Sequence, residues 1–543
     1  MNTSPALSQV KTGQVVRADD NLLRRAYVEI HEGRFDAPCQ ALESFSGLGD
    51  SRADLLYGFA CAGTGRFEKA AELLVASGIA NPGNKHPGQD LADMFARFDR
   101  RADAERALRI MIRISPHDTR IYDALGDVLS QMGQFDKAIG VLEKSLQIRP
   151  VAPYAMNLMA IALVERGDIE AAIEIFNKVL TLTPGNPSAI SNLACIYSAQ
   201  SQSDEAIDLY RTAIQERPDD AQIRLNYSVA LLKAGRFAQG WPEHEWRLKL
   251  PGHSELPRAT LMPSLTEGLD ISGKRILITQ EEGLGDTLMY LRYLAPLARR
   301  GALLHLWVPE ELGDLCRRLD YVSVVQVGGQ TPAFDWHCPF ISLPRVFVGT
   351  PDAIGDPVPY LHADPQKIKT AGRFLPKNGK LNVGLVWGGS PRPTQTPAHM
   401  VDRRRSASLA AMAPLGRIPG LNLISLQKGP YAGQILNPPE GMRLYDPTDQ
   451  LHSMDDTAAL MMGLDVLVSV DTSVVHLAGA LGLPVLLMDR FDNCWRWLTG
   501  REDSIWYPDL TIIRQERPRD WVSVVDRVGT RLRAMVAQKK HGA

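Results

Sequence analysis

Small residues recur along the first half of the chain at a fixed interval, on what read as the buried faces of amphipathic helices. Ala70, Ala104, Ala138, Ala172 and Ala206 stand 34 residues apart, and Gly58, Ala92, Gly126, Ala160, Ala194 and Ser228 form a second ladder with the same step. Pro82, Pro116, Pro150, Pro184 and Pro218 form a third ladder, and Gly133, Gly167, Ser201 and Gly235 a fourth. Small residues where two helices cross, a turn residue between them and a proline closing the second helix predict a helical hairpin. One hairpin cannot bury its apolar stripe alone, so neighbours stack into a superhelix with a concave side. The ladders place units at 51–84, 85–118, 119–152, 153–186 and 187–220, with a truncated sixth from Ala221. Upstream, Gly33-Arg34-Phe35-Asp36 resembles Gly65-Arg66-Phe67-Glu68 at a step of 32, so a slipped repeat begins near Asp19. The last unit departs from the pattern at Gly240-Trp241-Pro242, and Trp241 and Trp246 are expected to cap the array or dock it.

The pattern changes after a stretch rich in proline and small residues, 251–272. Lys274–Thr279 is a short β-type run ending in Gly283-Leu284-Gly285-Asp286, followed by a predicted helix over Thr287–Arg300. Strands are predicted at Leu303–Val308 and Val322–Val327, with a helix between them at Glu310–Leu319. A second alternating set begins at Leu381–Trp387 and continues through Leu421–Leu426, Val466–Val470 and Val485–Met488. Strands alternating with helices predict parallel sheets covered on both faces. The Pro- and Lys-rich Phe374–Lys380 separates two such lobes. Ligands of open parallel sheets sit at the carboxyl ends of strands, so the strand-end loops are the places to look for chemistry.

Three loops stand out. In Gly283-Leu284-Gly285-Asp286-Thr287, glycines and a helix start can hold an anion, and capping of the helix is the alternative role for Asp286. Asp471-Thr472-Ser473 follows a buried strand and opens a helix that carries His476, which makes it a diphosphate seat. Trp387-Gly388-Gly389-Ser390 is followed by Asp402-Arg403-Arg404-Arg405-Ser406, whose arginines are either a solvated face or a phosphate clamp.

The 34-residue hairpins are those of the tetratricopeptide (TPR) repeat. Gly-Leu-Gly-Asp-Thr in the first lobe and Val-Asp-Thr-Ser-x-x-His-Leu-Ala-Gly-Ala-Leu-Gly-x-Pro in the second resemble the lipopolysaccharide heptosyltransferase family. The whole layout is similar to bacterial TPR-fused glycosyltransferases, some of which modify flagellin. Shared features are Gly-Trp-Pro…Glu-Trp-Arg at 240–247, Asp-Arg-x-Arg-Ser at 402–406 and Trp-Arg-Trp at 495–497. This resemblance implies an α-solenoid followed by an α/β glycosyltransferase of GT-B type with two Rossmann-like lobes. It further implies an inverting transfer with Asp286 as catalytic base. Donor contacts would come from Gly283, Gly285, Thr287, Trp387, Gly388, Ser390, Arg403, Arg405, Asp471, Thr472, Ser473 and His476. A second-lobe lysine of the family has no clear counterpart, and the 403–405 run stands in its place.

The expected activity is transfer of a sugar from a nucleotide sugar to a Ser or Thr hydroxyl of a protein, flagellin being one candidate. The alternatives are transfer to a glycan or lipid-linked acceptor, and a non-catalytic TPR adaptor. Acceptor capture falls to the repeat groove, where Asn192 and Asn226, 34 apart, either bond an extended peptide or serve ordinary interhelix hydrogen bonds. The expected divisions are a flexible N-terminus at 1–18, repeats at 19–252 and a linker at 253–273. The lobes follow at 274–376 and 377–515, the second holding the donor, with a C-terminal helix and tail at 516–543. A net charge of −2 argues against nucleic acid as partner. The chain lacks an Asp-x-Asp metal motif, so no metal and no cofactor beyond the sugar-nucleotide co-substrate is expected. Six scattered cysteines, the absence of a signal-like N-terminus and the absence of an apolar run long enough to span a membrane make a cytoplasmic protein the expectation.

Overall fold

The computed structural model describes residues 17–81, 85–251, 256–281 and 283–542. Pro82 and nearly all of the expected flexible N-terminus lie outside the described residues. The first half is a run of helical hairpins. These are Asp20–His31 with Asp36–Glu43, Ser51–Gly63 with Phe67–Ala80, Pro87–Arg97 with Arg101–Ile114, and Thr119–Gln131 with Phe135–Ile148. Pro153–Arg166 with Ile169–Leu182, Pro187–Ala199 with Ser203–Glu216, and Ala221–Lys233 with Phe237–His244 complete it.

The ladders have steric causes. Ala70, Ala104, Ala138, Ala172 and Ala206 have no exposed surface. A Cβ on Gly126 would lie 2.6 Å from Leu142 Cγ, so the facing leucine fills the place of a side chain. The turn residue takes positive φ in every hairpin: Gly33, Gly65, Gly133, Gly167 and Gly235, but also Asp99 (56°) and Ser201 (64°). The turn ladder therefore extends further upstream than glycine alone reveals.

By compactness the chain divides into two units. The first runs through Leu182 and includes Arg392–Met400; the second holds Thr183–Pro391 and everything from Val401 onward. Within the first, Arg101 Nη2 donates to Pro393 O (2.8 Å) and its Nε to Gln131 Oε1 (3.0 Å), fastening that returning segment to the hairpins. The division falls inside the repeat array rather than at the proline-rich stretch.

In the second unit the last hairpin is built onto the first lobe. Trp241 is 2% exposed and packs edge-on against Trp495 (5.1 Å) and Tyr290 (6.4 Å). Beside it, buried Arg247 pairs with Glu281 (2.7 Å) and Glu245 (2.8 Å) and donates to Ser342 Oγ (2.7 Å). Of the two tryptophans expected to dock, only Trp241 does; Trp246 lies beneath the cations of Arg224 and Lys249.

The first lobe has a parallel sheet of β1 (Arg275–Thr279), β2 (Leu303–Trp307), β3 (Val324–Gln326) and β4 (Trp336–Pro339), ordered β3-β2-β1-β4. The second contains β5 (Leu381–Val386), β6 (Leu421–Ser425), β7 (Leu444–Tyr445), β8 (Val466–Val470), β9 (Val485–Asp489) and β10 (Leu510–Arg514). It is parallel throughout, in the order β10-β9-β8-β5-β6-β7. β4, β7 and β10 did not stand out in the sequence, β4 because it is short and ends in proline and β7 because it has two residues. Alternate β8 residues feed opposite cores. Leu467 joins the cluster that includes the first lobe's core, while Val466, Val468 and Val470 share a separate cluster with Val524, Val528 and Leu532 of the C-terminal helix. The result is an α-solenoid followed by two Rossmann-like lobes, the GT-B type arrangement.

Candidate functional site

Each sheet reverses its strand order once, between β1 and β4 in the first lobe and between β5 and β8 in the second. Crevices open where strand order reverses. The loops after β1, β5 and β8 are therefore the three that the sequence singled out.

After β1, Gly283 is the N-cap of the Leu284–Tyr290 helix, and no side chain caps it. The helix starts before the predicted Thr287, which places Asp286 inside the first turn; the alternative role as cap is overturned. Asp286 instead pairs with Arg496 of the second lobe. Arg496 lies on the Trp495–Trp497 turn, with Nη1 2.7 Å from Cys494 Sγ and its guanidinium 4.6 Å from the Trp495 ring centre. Thr287, expected among the donor contacts, is 1% exposed and belongs to the lobe core. Successive helical residues point about 100° apart, so an outward Asp286 turns Thr287 inward. Gly285 has a packing reason: a Cβ there would lie 3.0 Å from His476 Cδ2 and 3.2 Å from Ser473 Cα. Gly283 is exposed and meets nothing closer than Asp286 Oδ2.

After β8, Thr472 caps the Ser473–Leu481 helix by backbone position only. Its hydroxyl turns to Ser469 Oγ (3.3 Å), leaving the first-turn amides without a side-chain cap. The positive end of the helix dipole thus faces the loop. Asp471, Thr472 and Ser473 are half-buried. His476 is buried; its Nδ1 lies 2.9 Å from Tyr507 Oη, and its ring stacks on Trp497 at 5.4 Å. Burial pushes its pKa down to about 4, so it is a neutral imidazole near pH 7. These contacts make His476 a fastener of the Trp497–Tyr507 segment.

After β5 the picture differs from expectation. Trp387 is fully buried. Gln427 takes both groups of Gly388: its Oε1 accepts from Gly388 N (2.8 Å) and its Nε2 donates to Gly388 O (2.9 Å). Tyr431 occupies the space a Gly388 Cβ would fill. Neither Trp387 nor Gly388 is therefore free to meet a donor, and Gln427, which the sequence gave no reason to notice, is why. Ser390 is exposed and lies beyond this cradle.

The three arginines separate. Arg405 Nε donates to the buried Asp402 (3.1 Å) and Nη1 to Asp471 O (3.4 Å), so this guanidinium spans the β5 and β8 loops. Arg404 pairs with Asp492 (2.9 Å) after β9, and Arg403 is half-buried. At the end of β9, Asp489 holds Arg514 (2.8 Å) in full burial, which raises its pKa to about 6.

On the repeats, Asn226 donates to Ser191 Oγ (2.9 Å) and accepts from Gln222 (3.0 Å), the interhelix role; Asn192 is half-buried. In the first unit, a cavity of about 600 Å³ is lined by Arg106, Arg109, Arg113, Lys144 and Tyr122 among others. Among the described residues, no cluster of three or more His, Cys, Asp or Glu is arranged to hold a metal, and no helix is long and apolar enough to cross a membrane.

Residues 119–240 match the family model described as Psidin, N-terminal TPR repeats region. Protein FlbA of Caulobacter vibrioides is 25% identical over 504 residues, covering 87% of this chain and 76% of that protein. A glycosyl transferase family 9 structure from Veillonella parvula is 11% identical and covers 50% of this chain and 99% of its own, with a TM-score of 0.37. The E. coli ADP-heptose lps heptosyltransferase II is 13% identical and covers 49% and 99%, with a TM-score of 0.36. The chain is a TPR array joined to a two-lobed α/β region built on two parallel sheets.

Proposed function

We propose that this chain is an inverting glycosyltransferase that moves a sugar from a nucleotide sugar to a Ser or Thr hydroxyl of a protein recruited by the repeats. The observation that carries this reading is the meeting of two strand-end loops across the lobes, with the Asp286 carboxylate on one and an uncapped helix start on the other. In this reading Asp286, oriented by Arg496, accepts the proton of the acceptor hydroxyl. The hydroxyl oxygen forms its bond to the anomeric carbon as the bond from that carbon to the phosphate oxygen breaks on the opposite face. Charge on the departing nucleotide is met by the amides at Ser473 and by Arg405. Flagellin is the acceptor suggested by the family resemblance, and the repeat groove is its docking surface.

The test is to incubate the full chain with flagellin and a panel of nucleotide sugars and to measure the intact mass of the flagellin. A mass increase equal to one sugar residue is expected, and Asp286→Asn should slow it by about 10²–10⁴-fold. Unchanged transfer by that variant would remove Asp286 from the mechanism. Transfer to a soluble glycan with flagellin untouched would move the acceptor to the glycan class. Tight partner binding with no nucleotide raising the melting temperature would favour an adaptor.

A further inference from the structure

Lys233 ends the Ala221–Lys233 helix of the last hairpin and is 6% exposed, so only a small window connects it to solvent. Among the described residues its ammonium has no hydrogen bond and no ion pair, whereas the second unit's other buried cations, Arg247 and Arg292, meet a carboxylate and backbone carbonyls. Its helix packs against the Trp495–Trp497 turn, and Arg490 and Asp492 of the loop after β9 are the charged groups that act on it. Desolvation pushes its pKa below the ordinary lysine range.

This corner holds an excess of positive charge. Arg490 and Arg404 both turn to Asp492, at 3.4 and 2.9 Å, and the neighbouring carboxylate of Asp489 is taken by Arg514. Burying an ammonium without a partner costs several kcal/mol. A lysine ammonium with no partner among the described residues, reaching solvent only through a small window, is a place suited to an anion. The position fits the site already described. β8 and β9 are parallel neighbours, with Val470 opposite Met488, so the Asp471–Ser473 turn and the 489–494 loop emerge side by side. The charge of Asp471 is felt at Arg490 and Cys494, and Arg496 of the same segment holds Asp286.

We propose that Lys233, with Arg490 and Arg404, forms a phosphate-binding subsite at the carboxyl end of β9, so that the last repeat contributes a side chain to the pocket. Identifying the phosphate as that of a sugar nucleotide rests on the proposed function; the subsite itself does not. The solenoid is then part of the site's wall as well as an arm that delivers an acceptor.

The test uses the full chain, with inorganic pyrophosphate and nucleoside diphosphates titrated calorimetrically. Lys233→Met keeps the stem and removes the charge; Lys233→Gln is a second neutral variant, and Lys233→Arg keeps the charge. The expected result is pyrophosphate binding weakened about tenfold or more in both neutral variants. Lys233→Arg should retain most of the affinity. Without ligand, the neutral variants should melt at or above the wild-type temperature, as loss of an unpaired buried charge requires. Equal pyrophosphate affinity in wild type and neutral variants overturns the subsite, as does the absence of binding to wild type at millimolar concentration. Lys233-dependent pyrophosphate binding in a protein that consumes no nucleotide sugar keeps the subsite and removes the transferase reading. Flagellin glycosylation with Lys233-independent binding does the reverse.

Discussion

The interior hairpins and the last hairpin use the same rungs for opposite ends. At Gly58 and Gly126 the place of a side chain is filled by Leu74 and Leu142 of the neighbouring helix, and Ala92, Ala160 and Ala194 are buried at the same rung. At the equivalent position of the last hairpin, Ser228 donates to Leu225 O (2.6 Å) and lies 2.8 Å from His244 Nδ1. Around it the hairpin places Trp241, Arg247 and Lys233, three large side chains that all face the lobes or their loops. Uniform small rungs fix the spacing between copies of one motif; a rung that breaks the rule specifies one neighbour. Departure from a repeat is thus a better guide to function than the repeat itself.

All nine tryptophans lie in the second unit, so their fluorescence reports that unit alone while circular dichroism reports both. The largest expected effect is from Trp241→Ala, which should cost the second unit about 3–5 kcal/mol in a urea titration followed by fluorescence. An unchanged midpoint would mean that the aromatic contact does not anchor the hairpin. Next is pH. The folded pKa of His476, about 4, lies below its unfolded value. Its contribution is therefore present above about pH 6.5 and lost as pH falls toward 4, by on the order of 3 kcal/mol. The fluorescence-detected stability should fall across that window in wild type and fall less in His476→Gln. In the first unit, Gly126→Ala forces a methyl against Leu142 and should cost about 1–3 kcal/mol, visible by circular dichroism with the fluorescence transition unmoved. A coincident shift in both would erase the distinction between the units. The smallest effect is Ser201→Gly. Relief of a left-handed backbone and greater freedom of the unfolded chain nearly cancel, leaving a stabilisation under about 1 kcal/mol in the same urea titration.

What the sequence disclosed depended on range. The hairpins were legible because their period is a spacing along the chain, and the two lobes because strand and helix alternate locally. Asp99 hid one turn because its backbone angle, not its composition, matches glycine. At the candidate site, glycines and helix starts marked the loops that follow β1, β5 and β8. Their wiring was not legible: Asp286 with Arg496, Gly388 with Gln427 and Lys233 beside Asp492 join residues far apart in sequence. Arg496 did stand out within Trp-Arg-Trp, yet only the fold shows which carboxylate it meets. Trp387 and Thr287 look like ligands in a motif and are core in the structure.

The bare crossing at Gly285, where the first lobe's helix rests on Ser473 and His476 of the second, has a mechanical consequence. A contact made by backbone and a ring, with no flexible side chain between, can swivel but has no slack along the line joining the helices. Domain opening would then be a rotation whose axis passes close to this point. Displacements grow with distance from an axis, so the outer edges of the lobes would travel furthest while Asp286 and the helix start at Ser473 keep their separation.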